Sequence, residues 1–141
     1  TQSRSSAASD VYKRQGVSQS LAYMGKNKYA GWSGEVIATA GTNGTLFNFT
    51  SPSNTALETT MSLMINKTGL GGDESVGFLI KIDGQVVGNY LSERGSTFGF
   101  MDIDPVVFFI PAQAKIEIEA VTGDSSNITF TACLVCTGVF D

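Results

Sequence analysis

The chain contains no histidine. That removes at once the most frequent general base and the most frequent metal ligand, so any enzymatic chemistry would have to run on carboxylates or lysine. Charge is scarce too: Asp, Glu, Lys and Arg make up 16% of the residues, against about 25% in ordinary soluble domains. The net charge is −4, and basic residues are not grouped outside the first fifteen positions. This argues against nucleic acid as a partner, because neutralising phosphates needs clustered cations. No window approaches the roughly 18 uncharged apolar residues of a membrane helix. With three prolines and two cysteines, the fold must rest on an ordinary hydrophobic core. The hydrophobic content of 42% and mean hydropathy of +0.08 suffice for one.

Residues 5–15, SSAASDVYKRQ, lack any sustained apolar period. They resemble the translated sequencing-adapter scar found at the ends of reading frames from assembled environmental DNA. Residues 1–15 are accordingly expected to be a disordered, non-native segment that takes no part in the fold. Residues 16–33 form an aromatic, Gly-broken lead-in, and 34–141 a single β domain.

From Gly34 onward, short alternating runs are separated by Gly, Asn, Asp, Ser and Pro, with no helical period. Leu57, Thr59, Met61, Leu63 and Ile65 fall on one face of a strand. Val76, Phe78, Ile80 and Ile82 do the same and lead into Asp83-Gly84, a dipeptide suited to a two-residue type I′ hairpin with Gln85–Leu91 as the returning strand. Ile116, Ile118 and Ala120 point inward opposite Lys115, Glu117 and Glu119. In the last run Ile128, Phe130, Ala132 and Leu134 share a face, while the face of Thr129, Thr131, Cys133 and Val135 turns apolar toward its end. That second face is either covered by the other sheet's edge or turned to a neighbouring subunit. PVVFFIP is expected to be a buried run whose prolines, Pro105 and Pro111, end ladder pairing. With EVIATA, GTLFNFT and STFGFM, about eight strands result. The expected fold class is all-β, a two-sheet antiparallel β-sandwich of jelly-roll type.

Cys133 and Cys136 form a C-x-x-C, but three positions along a strand put them on opposite faces, and zinc would lack further soft ligands. Asp102-Ile-Asp104 could offer oxygens to a hard cation, yet lacks the remaining ligands of a recognised loop, and a solvated turn before Pro105 is expected. Asn43, Asn48, Asn66 and Asn127 match the N-glycosylation triplet, a short pattern that Asn- and Thr-rich strands produce by chance. GLGGDES, residues 69–75, is a Gly-rich connection and not a phosphate loop. No catalytic residue, metal site or cofactor is expected. The candidate ligand-binding residues are Tyr23, Tyr29, Trp32 and Tyr90, which could stack on sugar rings. Trp32 is expected to be packed, since a lone Trp is usually well buried.

IKIDGQVVGNY, VFFIPAQAKIEIEAV and NITFTACLVCTGVF follow one another in an order that resembles small jelly-roll domains of phage and virus structural proteins. Comparable domains occur in tail fibres, head fibres and capsid decoration proteins, and tumour-necrosis-factor/C1q-like jelly rolls share the plan. The resemblance spans residues 34–140 and carries no catalytic residues. It implies a structural or attachment role in a virion or extracellular setting, a homo-oligomer with a trimer favoured, and contact with other virion proteins or a cell-surface glycan. A carbohydrate-binding module or adhesin is the alternative.

Overall fold

A computed structural model describes residues 21–67, 74–94, 99–123 and 127–139. Residues 1–15 and the 69–73 part of GLGGDES lie outside the described residues. Ten strands follow in order: β1 (Ala22–Gly25), β2 (Lys28–Trp32), β3 (Val36–Ala38), β4 (Gly44–Thr50), β5 (Ala56–Lys67), β6 (Glu74–Ile82), β7 (Gln85–Arg94), β8 (Gly99–Ile110), β9 (Lys115–Thr122) and β10 (Ile128–Val139). They form a six-stranded sheet, β1-β2-β10-β5-β8 with β3 also on β10, and a four-stranded sheet, β4-β9-β6-β7.

The pairings are nested. β6 pairs with β7, β5 with β8, β4 with β9, and β2 and β3 with β10. This is one long antiparallel hairpin, rolled so that β10 also lies against β5 and β9 against β6. The result is a jelly roll, which buries the apolar face of each sheet against the other.

The core follows the alternation in the sequence. Leu57, Met61, Leu63 and Ile65 of β5, Ile116, Ile118 and Ala120 of β9, and Ile128, Phe130 and Leu134 of β10 are all buried. In β4 a bulge lets Thr45 pair with Glu119 and Phe47 with Ile118. The extra residue, Leu46, therefore joins Phe47 in the core, and both are fully buried. At the Asp83-Gly84 turn both residues have positive φ, 50° and 85°, as a type I′ hairpin requires. The Asp83 carboxylate accepts a 2.9 Å hydrogen bond from the Lys115 amide, tying the turn to β9.

Three features depart from expectation. The stretch before Gly34 contributes strands: β1 and β2 form a hairpin whose turn residues Lys26 and Asn27 both have positive φ, 51° and 61°. This accounts for two of the strands beyond eight. Pro105 does not end a strand. β8 lies at the sheet edge, and Met61 pairs with Val106 while Leu63 pairs with Ile103. Asp104 and Pro105 thus form a bulge opposite Ser62, where a residue without an amide proton costs no ladder bond. Asp102 and Asp104 accordingly belong to strand β8 rather than to a turn. Nor is PVVFFIP buried throughout: Ile110 is buried and Val106 and Phe108 are partly buried, but Val107 and Phe109 are 63% and 61% exposed. An edge strand in a two-layer sandwich has only one covered face.

Buried serines finish the strands. Ser33, just past β2, donates its amide to the Ala132 carbonyl at 2.9 Å, and its hydroxyl accepts from the Ala132 amide at 2.8 Å. Ser51, just past β4, donates its hydroxyl to the Pro111 carbonyl at 2.6 Å and accepts from the Ala114 amide at 2.9 Å. Backbone groups at these corners, lacking ladder partners, are satisfied by side-chain oxygens.

On the outside of the four-stranded sheet, the Glu119 carboxylate accepts from the Asn43 side-chain amide at 3.0 Å and from the Lys81 ammonium at 3.2 Å. The Asn43 hydrogen bond, with Lys81 adding to it against the opposing effect of burial, holds this carboxyl below its ordinary 4.5. Such a group stabilises the fold while ionised, and its contribution fades as pH falls through the lowered folded-state value. Glu119→Gln is therefore expected to lower stability at neutral pH and to differ progressively less from the parent below pH 4.5, as read by urea denaturation across that range.

Candidate functional site

The four candidate aromatic residues do not converge. Tyr23 and Tyr29 are cross-strand partners in the β1–β2 hairpin, their ring centroids 5.2 Å apart at 60°, and Tyr29 packs against the core. Trp32, expected to be packed, is 44% exposed. The reason is register: Trp32 pairs with Cys133, an outward position of β10, and the next residue, Ser33, is the buried one. Tyr90 lies on the other sheet, in β7, stacked on Phe78 at 5.5 Å and 7°.

Two surfaces emerge instead. The first is a cleft of about 480 Å³ where edge strands β7 and β8 flank the open side of the sandwich; its lining includes Phe78, Ile80, Ile82, Tyr90, Val106 and Phe108. Tyr90 is 40% exposed. Among the described residues no group of three His, Cys, Asp or Glu side chains is placed to hold a metal.

The second surface is the outer face of the six-stranded sheet. Residues paired across adjacent strands share a face, so the register defines rows across it. Ala30, Val135, Thr60 and Val107 form one row; Lys28, Thr137, Glu58 and Phe109 form the next; Trp32, Cys133 and Ser62 form a third. Most of the exposed large hydrophobic side chains of the described residues stand here, among them Trp32, Met64, Val107, Phe109 and Val135. The apolar end of β10's second face is thus exposed among the described residues. Val107 and Phe109 could not be told apart in the sequence from their buried neighbours, because an unbroken apolar run hides which residues face out.

The two cysteines lie on opposite faces of β10, Cys133 half-buried on this outer side and Cys136 buried in the core. Thr59 donates its hydroxyl to the Cys136 sulfur at 3.3 Å, and burial pushes the Cys136 thiol pKa up. Because the thiolate is the reactive form, a thiol reagent at neutral pH is expected to modify one cysteine, Cys133, in the native protein and the second only with denaturant. Mass spectrometry of the labelled peptides checks this.

No family model matches the chain, and no curated protein matches it by sequence. Solved structures do resemble it. The VP2 subviral particle of infectious bursal disease virus gives a TM-score of 0.56 at 20% identity over 78% of this chain and 32% of that one. T=1 particles derived from the same virus give 0.55 at 19% identity, over 79% and 31%. The fold is shared. The chain spans about a third of the length of these viral particle chains. A CBM36-1 domain of a multidomain xylanase from a termite hindgut metagenome is similar at a TM-score of 0.40 and 15% identity, over 80% of this chain and 79% of that one. That is too loose to bear on function.

Proposed function

We propose that this chain is a non-enzymatic structural domain of a virus-type particle or fibre, which assembles with copies of itself and presents its loops to the particle or to a receptor. The observation that carries this reading is the exposed apolar outer face of the six-stranded sheet, a surface that water disfavours and a neighbouring subunit would cover. The jelly-roll fold, shared with particle proteins of a virus, agrees with it, and a virion setting follows from the same argument. Light scattering of the full chain over a dilution series tests it. An assembly of fixed stoichiometry is the expected result, three chains if the homotrimer implied by the resemblance is the unit. A monomer at every soluble concentration would overturn the reading.

A carbohydrate-binding role is the second reading, favoured by the half-exposed ring of Tyr90 at the β7–β8 cleft. Aromatic rings beside a cleft of this size suit a ring-shaped ligand. A saccharide array that responds to the parent chain and not to Tyr90→Ala would support it; no response from the parent would remove it.

A further inference from the structure

β10 is the middle strand of the six-stranded sheet, with β2 and the short β3 along one edge and β5 along the other. In the order β1-β2-β10-β5-β8, β10 has two strands on either side. In the paired rows of the outer face the charged side chains among those described are Lys28 on β2 and Glu58 on β5, both exposed. Both pair with Thr137, one from each side. Opposite charges therefore stand at equal distances, about 4.8 Å, to either side of the central strand and at the same height along it. The neighbouring rows have a comparable asymmetry of size. Trp32 on β2 matches the small Ser62 on β5 across Cys133, and Ala30 matches Thr60 across Val135.

We propose that this face binds a second copy of the same chain, sheet against sheet, about a two-fold axis running along β10 in the plane of the interface. The inference rests on the self-association reading above and specifies the contact. A half-turn about that axis exchanges left for right and leaves height unchanged, so β2 of one copy lies over β5 of the other. Lys28 then meets the partner's Glu58, and Glu58 meets the partner's Lys28. Trp32 lies over the partner's Ser62, bulky over small, and Val135 sits near the axis against the partner's Val135. An isologous contact requires a patch to be complementary to itself in this way. Sheets packed face to face lie about 10 Å apart, a spacing these side chains can fill. β5, β8 and β10 run for 12 residues each and β2 for 5, so these four strands of the face cover on the order of 650 Å² at about 3.3 Å per residue and 4.8 Å per strand. That is close to the roughly 800 Å² per partner of a stable interface. In a particle built from trimers, such a contact would join copies belonging to neighbouring trimers.

Charge exchange tests the proposal on the full chain. Lys28→Glu would oppose two carboxylates at each contact, and Glu58→Lys two ammonium groups. Each single variant is expected to weaken self-association in sedimentation equilibrium by on the order of tenfold or more. The Lys28→Glu/Glu58→Lys double variant is expected to restore it, and an equimolar mixture of the two single variants to form mixed dimers by native mass spectrometry. Both substitutions are at exposed positions, and unchanged melting temperatures would show that the three variants fold. Cys133 gives an independent readout: lying on the axial strand, it should be joined to the partner's Cys133 by a short bismaleimide, giving a dimer band that Val135→Lys abolishes. An assembly whose mass and cross-linking ignore these substitutions, or a double variant no better than the singles, would overturn the two-fold contact while leaving self-association standing. A parent chain that stays monomeric would overturn both.

Discussion

Phe130→Ala is expected to destabilise the protein by about 3–5 kcal/mol. Phe130 is fully buried on the central strand, flanked in the sheet by Val36 and Ile65. Its ring faces the inter-sheet space, and strands on both sides hold the surrounding backbone in place, so the cavity left by truncation has little freedom to collapse. A loss of this size is a large share of the roughly 5–15 kcal/mol that holds a domain together. The control is Phe109→Ala. Phe109 is 61% exposed, and its truncation should change stability by only about 0.5 kcal/mol or less. Urea denaturation of the two variants against the parent measures the difference; similar losses for both would mean that the outer face is packed in the isolated chain.

Gly44→Ala comes next, at about 1–3 kcal/mol. The chain crosses from the six-stranded to the four-stranded sheet between β3 and β4, and Gly44 is buried at that crossing. A Cβ there would come within 2.5 Å of Val36 Cγ1 and 2.7 Å of the Ile37 carbonyl oxygen. The valine methyl could rotate away. The carbonyl could not, since β3 is held to β10 by its ladder. Either the two sheets separate locally or β3 shifts, and both weaken the core. An unchanged denaturation midpoint would show that this corner yields easily.

What could be read from the sequence depended on whether a strand has one dry face and one wet one. β9 shows its fold directly, because Ile116, Ile118 and Ala120 alternate with Lys115, Glu117 and Glu119, and the structure buries the first set. The same holds for β5, for β6 with its Asp-Gly hairpin, and for the inner face of β10. The pattern fails where the wet face is apolar. In PVVFFIP nothing distinguishes Phe108 from Phe109, so the run resembled a strand covered on both sides, and half of the candidate surface was hidden for that reason. Trp32 failed similarly: general tendencies bury a lone tryptophan, whereas its pairing with Cys133 turned it outward. The β1–β2 hairpin was missed because its turn residues, Lys26 and Asn27, are not the Asn-Gly or Asp-Gly pair that marks such turns most strongly. The symmetry of the outer face could not be read at all, since it depends on which strands are neighbours, and Lys28, Glu58 and Thr137 come together only through long-range pairing.

The central place of β10 also bears on how the chain is made. Synthesis proceeds from the N-terminus, so the strand that fills the middle of the six-stranded sheet is the last of the ten to leave the ribosome. Until it does, β3, one edge of β2 and one edge of β5 have no partner in that sheet, and Leu57, Met61 and Ile65 lack part of their cover. Unpaired edges next to bare apolar side chains are where nascent chains associate wrongly. Fusions or stalled products that end before Ile128 should therefore be found in the insoluble fraction, because β10 is the strand that pairs with β2, β3 and β5 at once.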